Sequence, residues 1–480
     1  MTLQESALVT PDTAPLPQPA EEPHRATAWP AARTTAADAG AAARAARAGR
    51  GTRGPLDVPL GAALGRVLAG PLLALTDLPS FDTSAMDGWA VAGPGPWTVR
   101  EEDAVLAGHA PATALADGEA VRIATGARVP AGTSAVVRSE HSRTEDPPAE
   151  DSRTEDPPAE DSRTEDSPAE DSRTEDSPAE PDSGPPAPVL HALREVRTRQ
   201  DIRPRGQECR AGDELLPAGS AVTPAVLGLA AAAGYDTLPV LPRPRVEILV
   251  LGDELLTAGL PHEGLIRDAL GPMLGPWLET LGAEVLATRR IGDDAEELYT
   301  AVTGSTADLL ITTGGTAAGP VDHLHRVLDA AGATLLVDGV KVRPGHPMLL
   351  ARLAGEDPRH LVGLPGNPLA AVSGLLTLAE PLLAALAGSA GGPHRGPGVP
   401  VRDEVQGHPH DTRLVPVVRR ADRAVPLHYN GPAMLRGIAA ADGLAVVPPG
   451  GARPGQALEI LGLPWPTATG DAPAQGVCFT

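Results

Sequence analysis

LLITTGGTAAG, residues 309–319, decides how the second half of the chain folds. Its first five residues make a run of strand length, paired glycines end the run, and 321–331 follow with the spacing of an amphipathic helix. The same pattern recurs on either side. VEILVL (246–251) runs into GDELL, and 361–364 runs into PGNP ahead of a helical stretch over 369–386. Short buried strands alternating with helices predict a parallel α/β sheet, assigned to 244–388.

Toward the N-terminus the texture changes. LPSFDTSAMDGWAV (78–91) reads as a turn and then a strand, and 120–138 as two short strands around a Gly/Pro-rich loop, so 78–199 is expected to be a small β domain. Residues 31–48 are Ala/Arg-rich without a breaker until Gly49 and read as a helix. Residues 31–77 and 200–243 bracket the β insertion. Residues 1–30 are Pro-, Ala- and Thr-rich and expected to be a disordered tail. Past the glycine-rich 388–398, short β-like runs predict a C-terminal β-barrel over 399–466.

About half of the formal charge of −23 sits in one place. Residues 142–182 hold four tandem decamers, two SRTEDPPAED and two SRTEDSPAE with altered endings, carrying sixteen acids against four arginines. Such a segment lacks large apolar residues and is expected to stay disordered, as an expanded hairpin loop of the β domain. The rest of the chain is only mildly acidic, which argues against a nucleic-acid partner held through phosphates. Cys209 and Cys478 are far apart and belong to no Cys/His cluster, so neither a zinc site nor a disulfide framework is expected. With no secretory signal pattern at the N-terminus and no uninterrupted apolar run of membrane-spanning length, a cytoplasmic protein without a membrane partner is the expectation.

In open parallel sheets ligands bind beyond the carboxyl ends of the strands. Gly314, Gly315, Thr316 and Gly319 would bring backbone amides toward an anion at a helix start, with Asp322 in that helix's first turn. Asp253 and Glu254, directly after a buried strand, are a paired-carboxylate candidate for a magnesium ion, with Asp322 as a third ligand. AGDELLPAG (211–219) nearly copies the 251–259 segment but follows no apolar strand, so it is read as coincidence. Pro365, Gly366 and Asn367 make a third, rigid loop. Residues 340–347, VKVRPGHP, are read as lacking regular structure; if extended, Lys341 and Arg343 share a face, with His346 close behind. Acids that hold a cation beside bases and amides that hold anions point to phosphate-linked chemistry. No GxGxxG follows a strand, which speaks against a dehydrogenase.

SFDTSAMDGWAV, IATGARVPAGTSAVV, VLGDELL, GGTAAGPVD and GLPGNPLAAV, in this order, resemble the MoeA family of molybdopterin molybdenumtransferases, which includes the molybdenum-inserting part of gephyrin-like proteins. The match runs from about 35 to 450, outside the decamers. The resemblance implies a MogA-like molybdopterin-binding α/β domain, an inserted β domain, an elongated linker domain and a C-terminal β-barrel, assembled as a homodimer. It implies that adenylylated molybdopterin and molybdate react, with Mg2+ assisting, to give molybdenum cofactor and AMP, and that a molybdopterin adenylyltransferase is a partner. Carried over by position, the functional residues are Asp87, Thr125, Glu254, Asp293 and Asp322, with Asp87 facing the site of the other protomer. Glu208 in PRGQEC stands where the family has an acid after an RRGED-like stretch.

This chain departs from the family at a few positions. The family's PGKP is Pro344-Gly345-His346-Pro347, which replaces a permanent cation by an imidazole. The preceding lysine is Arg343, an Asn after the Asp-Ser pair is Leu270, and the serine of a C-terminal GS pair is Pro432. Two other functions fit the same features: a non-catalytic paralogue that carries molybdopterin or molybdenum cofactor, and a molybdopterin adenylyltransferase, which shares the α/β domain but lacks the β insertion and the barrel.

Overall fold

The computed structural model describes residues 26–51, 53–109, 113–146, 187–316, 323–389 and 398–465. They fall into two compact units: Met1–Pro71, Leu216–Leu227 and Asp236–Thr480 belong to the larger, Leu72–Leu215 and Gly228–Tyr235 to the smaller.

The larger unit opens on α1 (Trp29–Arg50), preceded by the two-residue strand Thr27–Ala28. Alanine richness favours the helix, Pro30 sits in its first turn where a missing N–H costs nothing, and Gly51 at φ 66° ends it. Its buried residues are Trp29, Ala32, Arg33, Ala36, Gly40 and Ala43; from Ala36 on they are small, so a partner helix can approach closely there.

The smaller unit is built on β1 (Gly88–Val91), β2 (Trp97–Val105), β3 (Glu119–Ile123), β4 (Ala135–Arg138), β5 (Ser142–Glu145) and β6 (Val189–Ala192). They form one sheet in the order β4-β1-β3-β2-β6-β5. Ala90, Val121 and Val136 enter one core, and Val91, Ala120 and Val137 the other, so successive residues are buried on opposite faces. β5 corrects the expectation that the decamers are disordered from 142 onward: Ser142–Glu145 pairs antiparallel with β6. Composition forbids burying these residues, but an edge strand needs only backbone partners on one side, and its charges blunt that edge. β5 and β6 do flank the insertion as the two arms of a hairpin; 147–186 lie outside the described residues.

Returning to the larger unit, the chain runs through β7 (Arg245–Leu251), α2 (Leu270–Thr280), β8 (Glu284–Ile291), α3 (Ala295–Gly304), β9 (Leu309–Thr313) and α4 (Leu324–Ala330). Next come β10 (Thr334–Asp338), β11 (Val340–Arg343), β12 (Leu349–Leu353), β13 (Arg359–Leu364), α5 (Pro368–Gly374) and α6 (Glu380–Ala387), the last two joined by one π-type stretch, Leu375–Ala379. The main sheet has the order β8-β7-β9-β13-β12-β10. Four strands are parallel as expected, but β12 runs antiparallel to β13 and β10 to β12. A parallel β12 is impossible here, since only 354–358 connect it to β13 and a parallel crossover needs about a dozen residues. Leu249 and Leu310 face one core, Ile248, Val250 and Ile311 the other, which explains the unbroken apolar runs.

Two further expectations are corrected. The helix read at 31–48 was assigned to the linker, but α1 lies on α6 and the π-type stretch and shares the core of the α/β sheet. Trp29 Nε1 donates to Thr377 Oγ1 (3.0 Å), Arg33 reaches the Leu376 carbonyl, and any side chain at Gly40 would overlap the Leu382 carbonyl. The run Pro368–Ala387 is apolar and long enough to cross a membrane by composition, yet it is mostly buried under α1. The second correction is β11: Val340–Arg343 is a regular strand. It pairs in parallel with Thr27–Ala28 on one side and with β14 (Thr412–Arg420) on the other. β15 (Arg423–Pro426), β16 (Gly443–Val447) and β17 (Ile460–Gly462) complete that C-terminal sheet.

Candidate functional site

The strand order reverses at β7: the chain leaves it for β8 on one side, then returns to β9 on the other. Ligands in open α/β sheets bind at such a reversal. The register aligns Val250 with Thr313 and Thr313 with Leu364, so the loops after β7, β9 and β13 leave the sheet at one edge. β8 ends beside them, with Ile291 opposite Leu251.

Close approach, rather than side-chain bonding, draws these loops together. A Cβ on Gly366 would lie 3.6 Å from the Gly314 Cα, and one on Gly292 would lie 2.8 Å from Asp253 Oδ1. A Cβ on Gly314 would lie 3.6 Å from the Leu251 carbonyl, so the exposed Asp253 and Glu254 follow a strand end that adjoins the glycine loop, with the exposed Asp293 next to Gly292. Asp294, next to Asp293, is already committed: its carboxylate caps α3, accepting from the amides of Glu296 (2.7 Å) and Glu297 (3.1 Å), and these bonds lower its pKa. Gly314 (φ 85°) and Gly315 (φ 65°) need the left-handed backbone that glycine tolerates. The Gly314 amide donates to the Leu364 carbonyl (2.8 Å), which narrows the expected amide cradle to Gly315 and Thr316. Gly319 and Asp322 lie outside the described residues, and among the described residues no three Asp, Glu, His or Cys side chains converge as a metal cage.

The third loop is also narrower than expected. The Pro432 carbonyl accepts from the amides of Leu369 (2.9 Å) and Ala370 (3.2 Å), so the start of α5 is capped from within the protein. Pro365 is buried; Gly366 and Asn367 are exposed. The 344–347 turn presses on the same helix: a Cβ on the buried Gly345 would meet the Ala370 carbonyl at 2.9 Å and Ser373 Cβ at 3.1 Å. Lys341 and Arg343 share the exposed face of β11 while Val340 and Val342 are buried, as the extended reading required. Arg343 Nε donates to Asp411 Oδ2 (2.8 Å), a partner far along the chain that no sequence pattern marks. His346 Nδ1 bonds the Val340 carbonyl (2.8 Å); a carbonyl only accepts, so this nitrogen carries the proton. Leu270 is buried at the start of α2, whose Leu270 and Gly271 amides are capped by Asp268 Oδ1 (3.0 and 2.9 Å), an acid the sequence reading passed over.

Asp87 and Thr125 meet in the smaller unit. The Thr125 amide donates to Asp87 Oδ1 (2.7 Å), and this bond, with one from the Thr125 hydroxyl, holds the carboxyl below its ordinary range. Glu208 follows the chain past Leu78, its amide donating to the Leu78 carbonyl (2.8 Å).

A reversal of strand order with a glycine loop and strand-end carboxylates at one edge defines a doubly wound α/β domain. Family models match along most of the chain: "MoeA N-terminal region (domain I and II)" over 33–234, "Probable molybdopterin binding domain" over 247–385, and "MoeA C-terminal region (domain IV)" over 399–463. The chain is 34% identical over 334 residues to molybdopterin molybdenumtransferase 2 of Mycobacterium tuberculosis, covering 66% of this chain and 72% of that one. It is 28% identical over 346 residues to the molybdopterin molybdenumtransferase of a Nostoc species, 70% of each chain. The fold matches a crystal structure of the molybdopterin biosynthesis moeA protein from Pyrococcus horikoshii with a TM-score of 0.66 at 21% identity, over 91% of this chain and 99% of that one. The chain belongs to the MoeA family.

Proposed function

We propose that the chain inserts molybdenum from molybdate into adenylylated molybdopterin, releasing AMP and giving molybdenum cofactor. The observation that carries this reading is the convergence at the reversal of strand order: a Cβ on Gly314 would lie 3.6 Å from the carbonyl of Leu251, the strand end that Asp253 and Glu254 follow, and Asp253 in turn meets Gly292 beside Asp293. Gly315 and Thr316 amides hold a phosphate, and Lys341 and Arg343 supply positive charge for anions. Asp253 and Glu254 fit magnesium, which takes one or two carboxylates and completes its shell with water and phosphate oxygens; Asp322 is the further ligand in this proposal. When bound, the ion would neutralise phosphate charge as the adenylyl bond breaks. Asp87 and Thr125 of the smaller unit belong to the same machinery, in a homodimer.

AMP release from purified protein with adenylylated molybdopterin, molybdate and magnesium tests the reading. Turnover is expected, with Glu254→Gln reducing it on the order of 10²-fold while the fold stays intact. Undiminished turnover in chelator or in this variant overturns the metal assignment. One observation favours a second reading: with Nδ1 given to Val340, a neutral His346 offers only an acceptor at Nε2, which does not suit an oxyanion. Tight molybdopterin binding without AMP release would favour a carrier.

A further inference from the structure

The opposite edge of the main sheet carries a second concentration of charge. β7, β9 and β13 begin there at Arg245, Leu309 and Arg359, beside the last turn of α1. A cavity of about 630 Å³ is lined by Arg47, Arg53, Arg245, Arg359 and Asp308. A narrower one, about 210 Å³, shares Arg47, Arg53 and Asp308 and adds Arg44 and Arg243. Its remaining wall is apolar, including Leu241, Pro242, Pro244 and Leu386.

Acids do not balance these arginines. Asp308 meets Arg47 at 3.2 Å and Arg53 at 2.5 Å, and accepts the Arg245 backbone amide at 2.7 Å. On the rim of the larger cavity Asp357 pairs with Arg50 at 3.5 Å, and Glu356 offers its carbonyl to the same arginine. The guanidiniums of Arg44, Arg243, Arg245 and Arg359 bond carbonyl oxygens, of Ala385, Leu64, Thr306 and Ser305, which carry no net charge. Among the described residues the Nε atoms of both Arg243 and Arg245 are buried without an acceptor. Burial lowers the Arg47 pKa, opposed by Asp308 and reinforced by the positive charges of Arg53 and Arg245. Buried donors without acceptors are uncommon, and here they sit among like charges in a cavity.

We propose that this arginine cradle is a binding site for an organic phosphate, separate from the crevice and independent of the reaction assigned to it. The guanidiniums take the phosphate oxygens, and Leu241, Pro242, Pro244 and Leu386 pack against the organic group. Charge-assisted bonds to planar guanidiniums suit phosphate, and the apolar wall selects an ester over the free anion.

Calorimetric titration of the full chain with phenyl phosphate and with inorganic phosphate tests it. Phenyl phosphate is expected to bind the more tightly, and equal affinities would remove the organic part of the assignment. Arg243→Gln/Arg245→Gln should weaken phenyl phosphate binding by about tenfold or more, while AMP release is unchanged. Lys341→Gln, in the crevice, should leave this binding intact. Unaltered affinity in the double variant, or loss in Lys341→Gln alone, overturns the cradle. Should the glutamine pair fail to fold, Arg243→Lys/Arg245→Lys keeps the charge but not the fork geometry; weakened binding supports the site, and full affinity sinks it.

Discussion

His346 shows how one substitution acts through local bonding. Its Nδ1–H is held by Val340 of the adjoining strand, so the ring is oriented but has no donor left while neutral. His346→Lys restores a permanent donor, and molybdate affinity is expected to rise by about tenfold. Equilibrium dialysis of molybdate against both proteins measures this; identical affinities would put position 346 outside the site. Other site residues were partly legible. Lys341 and Arg343 share a face because alternation in an extended strand demands it, whatever the strand pairs with. The bonds that narrow the site were not legible, because each joins distant positions: Arg343 to Asp411, the Pro432 carbonyl to Leu369, Thr125 to Asp87. No local spacing encodes such pairs.

Among the elements, the hairpin of β5 and β6 makes the clearest prediction. Its two arms are fully paired from Ser142↔Ala192 to Glu145↔Val189, so the register of the hairpin is carried by the arms themselves. Replacing 147–186 by Asn-Gly should leave Tm within a few degrees and AMP release unchanged, because closure entropy changes only by ~0.6 kcal/mol per doubling of loop length. A loss of many degrees would mean that the insertion packs on something. Strands β7, β9 and β13 and the helices that follow β9 and β13 were readable from apolar runs and the turn residues that end them; α2, β8 and α3 were not read. β5 and β11 were not: SRTE has no apolar residue to bury, and VKVR alternates for only four residues before Pro344, so both become strands through partners, β6 for one and β14 for the other. The antiparallel turn of β12 was implicit in the short connection 354–358, a length that hydropathy alone does not weigh.

At the scale of the whole chain, stability carries a pH signature from His360. Burial, reinforced by Arg47 and Arg352, lowers its pKa from 6.5 to about 4. The unfolded chain therefore takes up a proton that the folded one refuses. This contribution is complete above about pH 6.5, declines as pH falls toward 4, and is flat below; its full size is about 3 kcal/mol. His360→Leu should flatten urea midpoints between pH 4.5 and 7, and an unchanged profile would exclude His360 as the source. The broad division of the chain was legible from composition, but α1 was misassigned because an alanine-rich helix does not announce its partner; the small face around Gly40 acquires meaning only against Leu382. β11 carries the same lesson into protein engineering. Because Val340–Arg343 lies between Thr27–Ala28 and Thr412–Arg420, the order in space is not the order of the gene. A scissile site placed in the glycine-rich 390–397 would not release a self-sufficient module: the downstream product would carry β14 with a bare edge, open to self-association, and the upstream product would keep the strand that belongs beside it. Fusion or split-reporter designs must therefore carry 340–343 together with everything after 398.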